Sequence, residues 1–280
     1  MHNRAIRKWV FVFTLGVAVQ ITALRAQIFT APLQASTTGT NSVDFEFRAD
    51  GVLIATGNPG VGTLLTSDQG PGIRMLWDPG IAAFRVGAVE GDEWDEANLG
   101  PGSVAMGVDN LASGYYSLAL GHNASAGGYE SLAIGRNAHA FGDNSIAFGS
   151  FLTTWEYASI AMGFESEASE NNSVAIGYFA TSTGYCATAF GVVTTATGKY
   201  STALGFNTLA DSYGSFAVGD YNIGGGAPED WVPTDPLFEV GNGTSDAPSD
   251  ALLIRKDGSA AFQGPVTVAP SGDIPMYAGE

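Results

Sequence analysis

Ser103-Val-Ala-Met-Gly107 returns every 14 residues along this chain. It becomes Ser117-Leu-Ala-Leu-Gly121, Ser131-Leu-Ala-Ile-Gly135, Ser145-Ile-Ala-Phe-Gly149 and Ser159-Ile-Ala-Met-Gly163. It continues as Ser173-Val-Ala-Ile-Gly177, Ala187-Thr-Ala-Phe-Gly191, Ser201-Thr-Ala-Leu-Gly205 and Ser215-Phe-Ala-Val-Gly219. No insertion breaks the count over these nine phrases. A fixed short period marks a stacked solenoid, in which each repeat buries its apolar face only against its neighbours. It turns the question of function from a pocket to a surface.

Within each phrase the first, third and fifth residues are small, and the second and fourth are bulky or Thr. Alternation with a period of two is a strand pattern. A second small set follows at Ala112, Ala126, Ala140, Ala168, Ala196 and Ala210. Gly114, Gly128, Gly142, Gly184 and Gly198 mark the next bend. Glu156, Glu170 and Ser212 stand in for that glycine elsewhere, which predicts an ordinary backbone there. The spacing therefore predicts an all-β parallel β-roll, with two short strands and two turns per 14-residue coil. Only Ser, Ala and Gly are expected to line so narrow an interior.

The bulky residues then point outward as one column. They are Val104, Met106, Leu118, Leu120, Leu132, Ile134, Ile146, Phe148, Ile160, Met162, Val174, Ile176, Phe190, Leu204, Phe216 and Val218. At a strand spacing of about 4.8 Å, nine coils carry this stripe over roughly 40 Å. An apolar stripe of that length is too large for the surface of a soluble monomer, and self-association around a symmetry axis buries it. The alternative is packing on the chain's own flanks, which hold too few residues to cover it.

The 280-residue chain carries a formal charge of -17. Arg4, Arg7 and Lys8 precede an apolar run from Trp9 to Leu24 that ends at Leu24-Arg25-Ala26, the pattern of a signal peptide over residues 1–26. A membrane anchor is the competing reading, but the run is short for a bilayer and is interrupted by Gln20 and Thr22. Cleavage leaves 28 acidic and seven basic residues, a charge of -21. That balance opposes nucleic-acid binding and adsorption to anionic lipid. After cleavage the sequence offers no transmembrane helix. Cys186 is the only cysteine, so there is no disulfide framework and no cysteine-based zinc site. By texture, residues 27–100 form a leader and an N-terminal short-strand cap, 101–223 the repeat array, and 224–280 a C-terminal short-strand cap. The strands expected in the caps centre on Val43–Phe47, Val52–Ile54, Arg74–Trp77, Ala82–Val86, Leu237–Val240, Ala251–Ile254 and Ser259–Phe262.

The phrase Ser173–Gly177, with its following small-residue spacing, closely resembles the head repeat of YadA-like trimeric autotransporter adhesins. That resemblance implies a left-handed parallel β-roll, a homotrimer, and a head that binds host matrix proteins or other surfaces. The flanking segments Arg74–Trp77, Ala82–Arg85, Trp94–Asn98 and Phe238–Thr244 resemble those of secreted bacterial surface proteins related to tail fibres. The sequence shows no heptad stalk, C-terminal barrel anchor or long self-cleaving chaperone domain. It therefore reads as a released head or as part of a larger surface assembly.

Enzymatic signals are poor. His122 and His139 are 17 residues apart and fall in different columns, which disfavours a zinc pair or a hydrolase triad. Gly191–Tyr200 resembles a phosphate loop only loosely, and reads as one more repeat. The acidic run Asp92–Glu96 lacks a calcium-loop glycine and reads as a solvated turn. The repeats lack the phrase of calcium-stacking rolls, and their threonines form no ice-binding grid. No cofactor or metal is expected. The candidate recognition residues are Phe151, Trp155 and Tyr157 in the most irregular coil, and the tyrosine column Tyr115, Tyr129, Tyr157, Tyr185 and Tyr213. Tyrosine suits contact surfaces, but the column also reads as a ladder that stiffens the bend. The expectation is a non-enzymatic, exported adhesin head, secreted or held at a bacterial surface, with an extracellular protein or glycan ligand. The alternatives are a tail-fibre-like recognition module and an architectural spacer without a ligand.

Overall fold

The computed structural model describes residues 44–47, 53–56 and 70–266. The expected signal peptide and leader lie outside the described residues. Asp44–Phe47 and Leu53–Thr56 form an antiparallel two-stranded sheet in a compact unit of its own. The second unit contains the repeats.

Nine long strands, from Val104–Val108 to Phe216–Asp220, stack in parallel with each residue paired to its equivalent 14 positions on. Eight full turns connect them. Short strands from Leu111–Ala112 to Leu209–Ala210 make a second parallel stack. The sequence-predicted two-strand coil is therefore present. In two coils the long and short strands run together, as Leu132–Ala140 and Ile146–Thr154. Among the described residues, helical structure is limited to one 3-10 turn at Glu96–Asn98.

Positions within a coil are counted from the leading Ser or Ala, and coils from the one that begins at Ser103. Positions 1, 3 and 8 face inward and are buried in every coil, and position 10 in the first eight. Position 3 is a fully buried alanine throughout. In six coils the serine at position 1 has a specific task, because its hydroxyl donates back to the carbonyl three residues earlier; Ser145 and Ser201 are buried without that bond. Ser117 reaches Gly114 at 2.7 Å, Ser159 reaches Glu156 at 2.7 Å and Ser173 reaches Glu170 at 2.6 Å. The expectation that only Ser, Ala and Gly line the interior is overturned at position 8. Asn110, Leu152, Thr194 and Thr208 are buried there, and Thr154 is buried at position 10. Asn110 fits because its amide is fully used, donating to the Met106 and Gly121 carbonyls and accepting from the Ala124 N–H.

The bends differ in chemistry from the expected glycine turns. Positions 7 and 14 take the left-handed conformation, mostly without glycine, as at Asn123, Phe151, Cys186 and Tyr200. The glycine of position 12 has an ordinary φ, so Glu156, Glu170 and Ser212 can occupy the same place. A Cβ on a position-12 glycine would also crowd the next coil, as at Gly114, 1.9 Å from the Gly128 carbonyl oxygen; the glycine of position 5 is crowded likewise and has a positive φ as well. Gly177 has φ 143°, and a Cβ there would lie 1.7 Å from the Gly191 carbonyl oxygen of the next coil. Close stacking of coils thus requires glycine at that point.

The regular pairing extends one strand beyond the repeats at each end. Ala83–Val89 runs parallel to Val104–Val108, with Arg85 beside Ala105. Pro236–Asn242 runs parallel to Phe216–Asp220, with Glu239 beside Ala217. Asp250–Arg255 and Ala260–Phe262 then continue the sheet in antiparallel fashion. Trp94, within the acidic run expected to be a solvated turn, is fully buried and donates its indole N–H to the Asn110 carbonyl at 3.1 Å. An apolar ring inside an acidic stretch folds inward because its burial outweighs the desolvation of its neighbours' backbone.

Candidate functional site: the outer surface of the roll

Strand alternation places positions 2, 4 and 6 on one outer face, and positions 9 and 11 on the opposite short-strand face. Of the sixteen outward residues, Met106, Phe148, Phe190, Leu204 and Phe216 are exposed in the single chain, and the other eleven are half-buried. Phe148 is 48% exposed and Phe190 50%. A phenylalanine half in water marks surface prepared for contact.

The structure separates residues that the sequence grouped. Phe151, at position 7, lies on the corner after the long strand, in edge contact with Phe164 at 5.7 Å and under the Arg136 guanidinium at 5.4 Å. Phe164 stacks on Tyr178 at 5.4 Å, and Tyr178 meets Phe179 at 4.6 Å. Val192 and Val193 interrupt the ladder in coil 7, and a separate pair, Phe206 and Tyr221, stands 5.3 Å apart on the same corner. Aromatic residues stand at position 6 or 7 in coils 4, 5, 6, 8 and 9, interspersed with aliphatic and polar ones, so the repeat phrase does not single them out.

Trp155 lies away from Phe151, at position 11 of the short-strand face. Its ring tilts against Phe141 at 5.1 Å, and Phe141 stacks on His139 at 5.6 Å. The Trp155 indole N–H donates to Glu167 Oε1 at 3.1 Å. Burial pushes the His139 imidazole below its ordinary pKa. Tyr157, at position 13, belongs to the opposite corner. There Tyr129 meets Tyr116 at 5.7 Å, and Tyr185 and Tyr213 are bridged by Tyr200 at 5.6 and 5.4 Å. The tyrosine column is thus knitted together by position-14 tyrosines that the sequence reading did not include. Tyr115 and Tyr157 are exposed on the same corner. Tyr129 has its pKa raised, chiefly by desolvation and then by Glu130.

A cluster of acids closes the C-terminal end. Glu239 is buried, and desolvation together with Asp250 raises its pKa to about 7. It accepts from the Gly224 N–H at 3.0 Å and the Asn222 amide at 3.1 Å. Desolvation also raises Asp211 and Asp250. Among the described residues no three His, Cys, Asp or Glu side chains assemble as a metal site, and no helix is long and apolar enough to cross a membrane.

The family description "YadA head domain repeat" matches residues 99–124, 126–151, 157–180, 182–208 and 196–222. No curated protein matches the chain. The matched segments coincide with the stacked coils, and the YadA head is an adhesin-type domain rather than a member of a known enzyme family. Between residues 99 and 222 this chain matches YadA head repeats.

Proposed function

We propose that this chain is an exported, non-enzymatic adhesive head that works as a homotrimer, with its apolar long-strand face turned to the three-fold axis. The observation that carries this reading is the bulky column at positions 2 and 4, interrupted only at position 2 by Thr188 and Thr202. It runs the length of the roll, and a single chain leaves it half-exposed. Burying such a column three ways leaves the outer surfaces to meet a host, matrix or cell-surface partner. Repeat solenoids bind in this way, through side chains that depart from the repeat. The absence of the repeat's small residues at Trp155 and Phe141 makes the short-strand face the candidate contact region.

The test is direct. Light scattering on residues 27–280 should give three times the chain mass, and a glycan and matrix-protein array should return a saturable ligand. A monomer at micromolar concentration would sink the axis assignment.

A further inference from the structure

We propose that the two corners flanking the apolar face form one seam between neighbouring copies, the corner at positions 6 and 7 of one chain lying against positions 13 and 14 of the next. The inference rests on the trimer reading above and adds the contact that closes it.

Area gives the first reason. Nine rungs about 4.8 Å apart, each five residues of about 3.3 Å, present a face of roughly 40 by 16 Å. A three-fold ring divides that face between two neighbours, giving about 320 Å² of projected contact each. Even doubled for side-chain relief, this falls short of the ~800 Å² per partner of a standard interface. The flanking corners must contribute.

Symmetry gives the second. A three-fold contact is heterologous, so one corner meets the other, at the same height along the roll. The two corners are complementary in five of the nine coils. In coil 2 His122 would face Glu130, and in coil 3 Arg136 would face Asp143; all four are exposed. In coil 4 Phe151 would face Tyr157, and in coil 6 Phe179 would face Tyr185. In coil 8 Phe206 would face Tyr213. An imidazole and a guanidinium meet carboxylates in coils 2 and 3, and rings pair in coils 4, 6 and 8. Complementarity of this kind sets partner register more than raw affinity. The tyrosine column is then an assembly element, and the short-strand face with Trp155 is left free for a ligand.

Cys186 supplies the probe. It is the only cysteine, half-buried at position 14 of coil 6, on the corner that would meet Phe179 of the neighbour. Within one chain, positions 7 and 14 flank opposite ends of a five-residue strand, roughly 16 Å apart. A disulfide needs Cα atoms about 4.4–6.8 Å apart, so it cannot form intramolecularly. Mild copper-phenanthroline oxidation of Phe179→Cys should give a covalent trimer as the main band on a non-reducing gel. Neither the wild type nor Phe179→Cys/Cys186→Ser should do so. A trimer by light scattering that stays unlinked would overturn the seam and leave the trimer standing; a monomer would overturn both. As a check independent of that substitution, Arg136→Glu should raise the dissociation concentration of the trimer roughly tenfold, and Arg136→Glu/Asp143→Arg should restore it. No change with Arg136→Glu would also overturn the seam.

Discussion

Arg85 and Glu239 stand at opposite ends of a single column of nine buried alanines. Register pairs Arg85 with Ala105 and Glu239 with Ala217, and every step between them joins one position-3 alanine to the next. Alanine fits the interior of each coil but leaves its own last backbone groups open at the ends. The guanidinium answers this at the N-terminal end. It donates to the carbonyls of Phe84, Ser103 and Ala112 and to the Ser103 hydroxyl, at 2.8–3.0 Å. Burial pushes its pKa down to about 10, so it stays charged at neutral pH. The carboxyl answers it at the C-terminal end by accepting from Gly224 and Asn222, and it is held largely uncharged under mildly acidic conditions.

Stability should therefore fall as pH rises. The folded Glu239 carboxyl has a pKa of about 7 against 4.5 ordinarily. Protonation favours the folded state, so the contribution is intact below 4.5, is lost between 4.5 and 7, and stays lost above 7. The full difference is about 3 kcal/mol. Asp250 and Asp211, which face the same cluster, are raised as well and act in the same direction. The melting temperature should be higher at pH 5 than at pH 8. Glu239→Gln should flatten that slope, because the amide keeps the size without the titrating charge; its single oxygen can accept from only one of Gly224 and Asn222. An unchanged slope in the variant would refute the assignment.

Arg85→Ala should cost about 3 kcal/mol, since it removes the buried guanidinium bonds to Ser103 and Ala112, leaves each of those carbonyls only its backbone donor (Phe84 and Gly100) and opens a void. Arg85→Lys should recover only part, because an ammonium cannot reproduce the planar fork. Urea unfolding of the three proteins orders them as wild type, Lys, Ala.

Gly177→Ala tests the coil spacing. The added Cβ meets the Gly191 carbonyl at 1.7 Å and the φ of 143° disfavours any side chain. The loss should be about 3 kcal/mol or more. A surface substitution such as Thr183→Ala should stay within about 0.5 kcal/mol. Comparable midpoints for the two variants in urea would refute the steric account.

The repeat period, the strand alternation and the inward alanines were all legible in the sequence, because each is written nine times. What the sequence hid is what occurs once. Arg85 and Glu239 look like surface charges until register places them inside the roll. Trp94 sits in a run of acids that reads as solvated. The corner aromatics from Phe151 to Tyr221 were hidden for another reason: positions 6 and 7 vary between aromatic, aliphatic and polar residues, so no single phrase exposes them. Phe151 and Trp155, four residues apart, looked like one patch. A left-handed residue at position 7 turns the chain between them and sends them to different faces.

Ile134→Asp and Ile176→Asp should disrupt assembly. Each lies on the outward column at position 4, and a symmetric trimer would place three carboxylates at one height near an apolar axis. Carboxylates without partners in that setting are strongly disfavoured. Both variants should run as monomers in light scattering while keeping the wild-type far-ultraviolet β spectrum, since neither side chain is inside the roll. Variants that remain trimeric at micromolar concentration would mean that another face holds the copies together.

Trp155 is the residue on which recognition is best tested. It is 51% exposed, braced by Phe141 and fixed by its bond to Glu167, so its ring is held in place before any partner arrives. Pre-organised aromatic side chains give contact area at little entropic cost. Tyr157 lies two residues on, at the corner, and in the seam arrangement faces a neighbouring copy. The two should therefore separate. Trp155→Ala should reduce adhesion to an array-identified ligand by tenfold or more with the trimer intact. Tyr157→Ala should leave ligand binding per trimer unchanged and lower the dissociation temperature of the trimer. Adhesion unaffected by Trp155→Ala would remove the short-strand face from the binding surface, and adhesion lost with Tyr157→Ala in a stable trimer would return the corner to it.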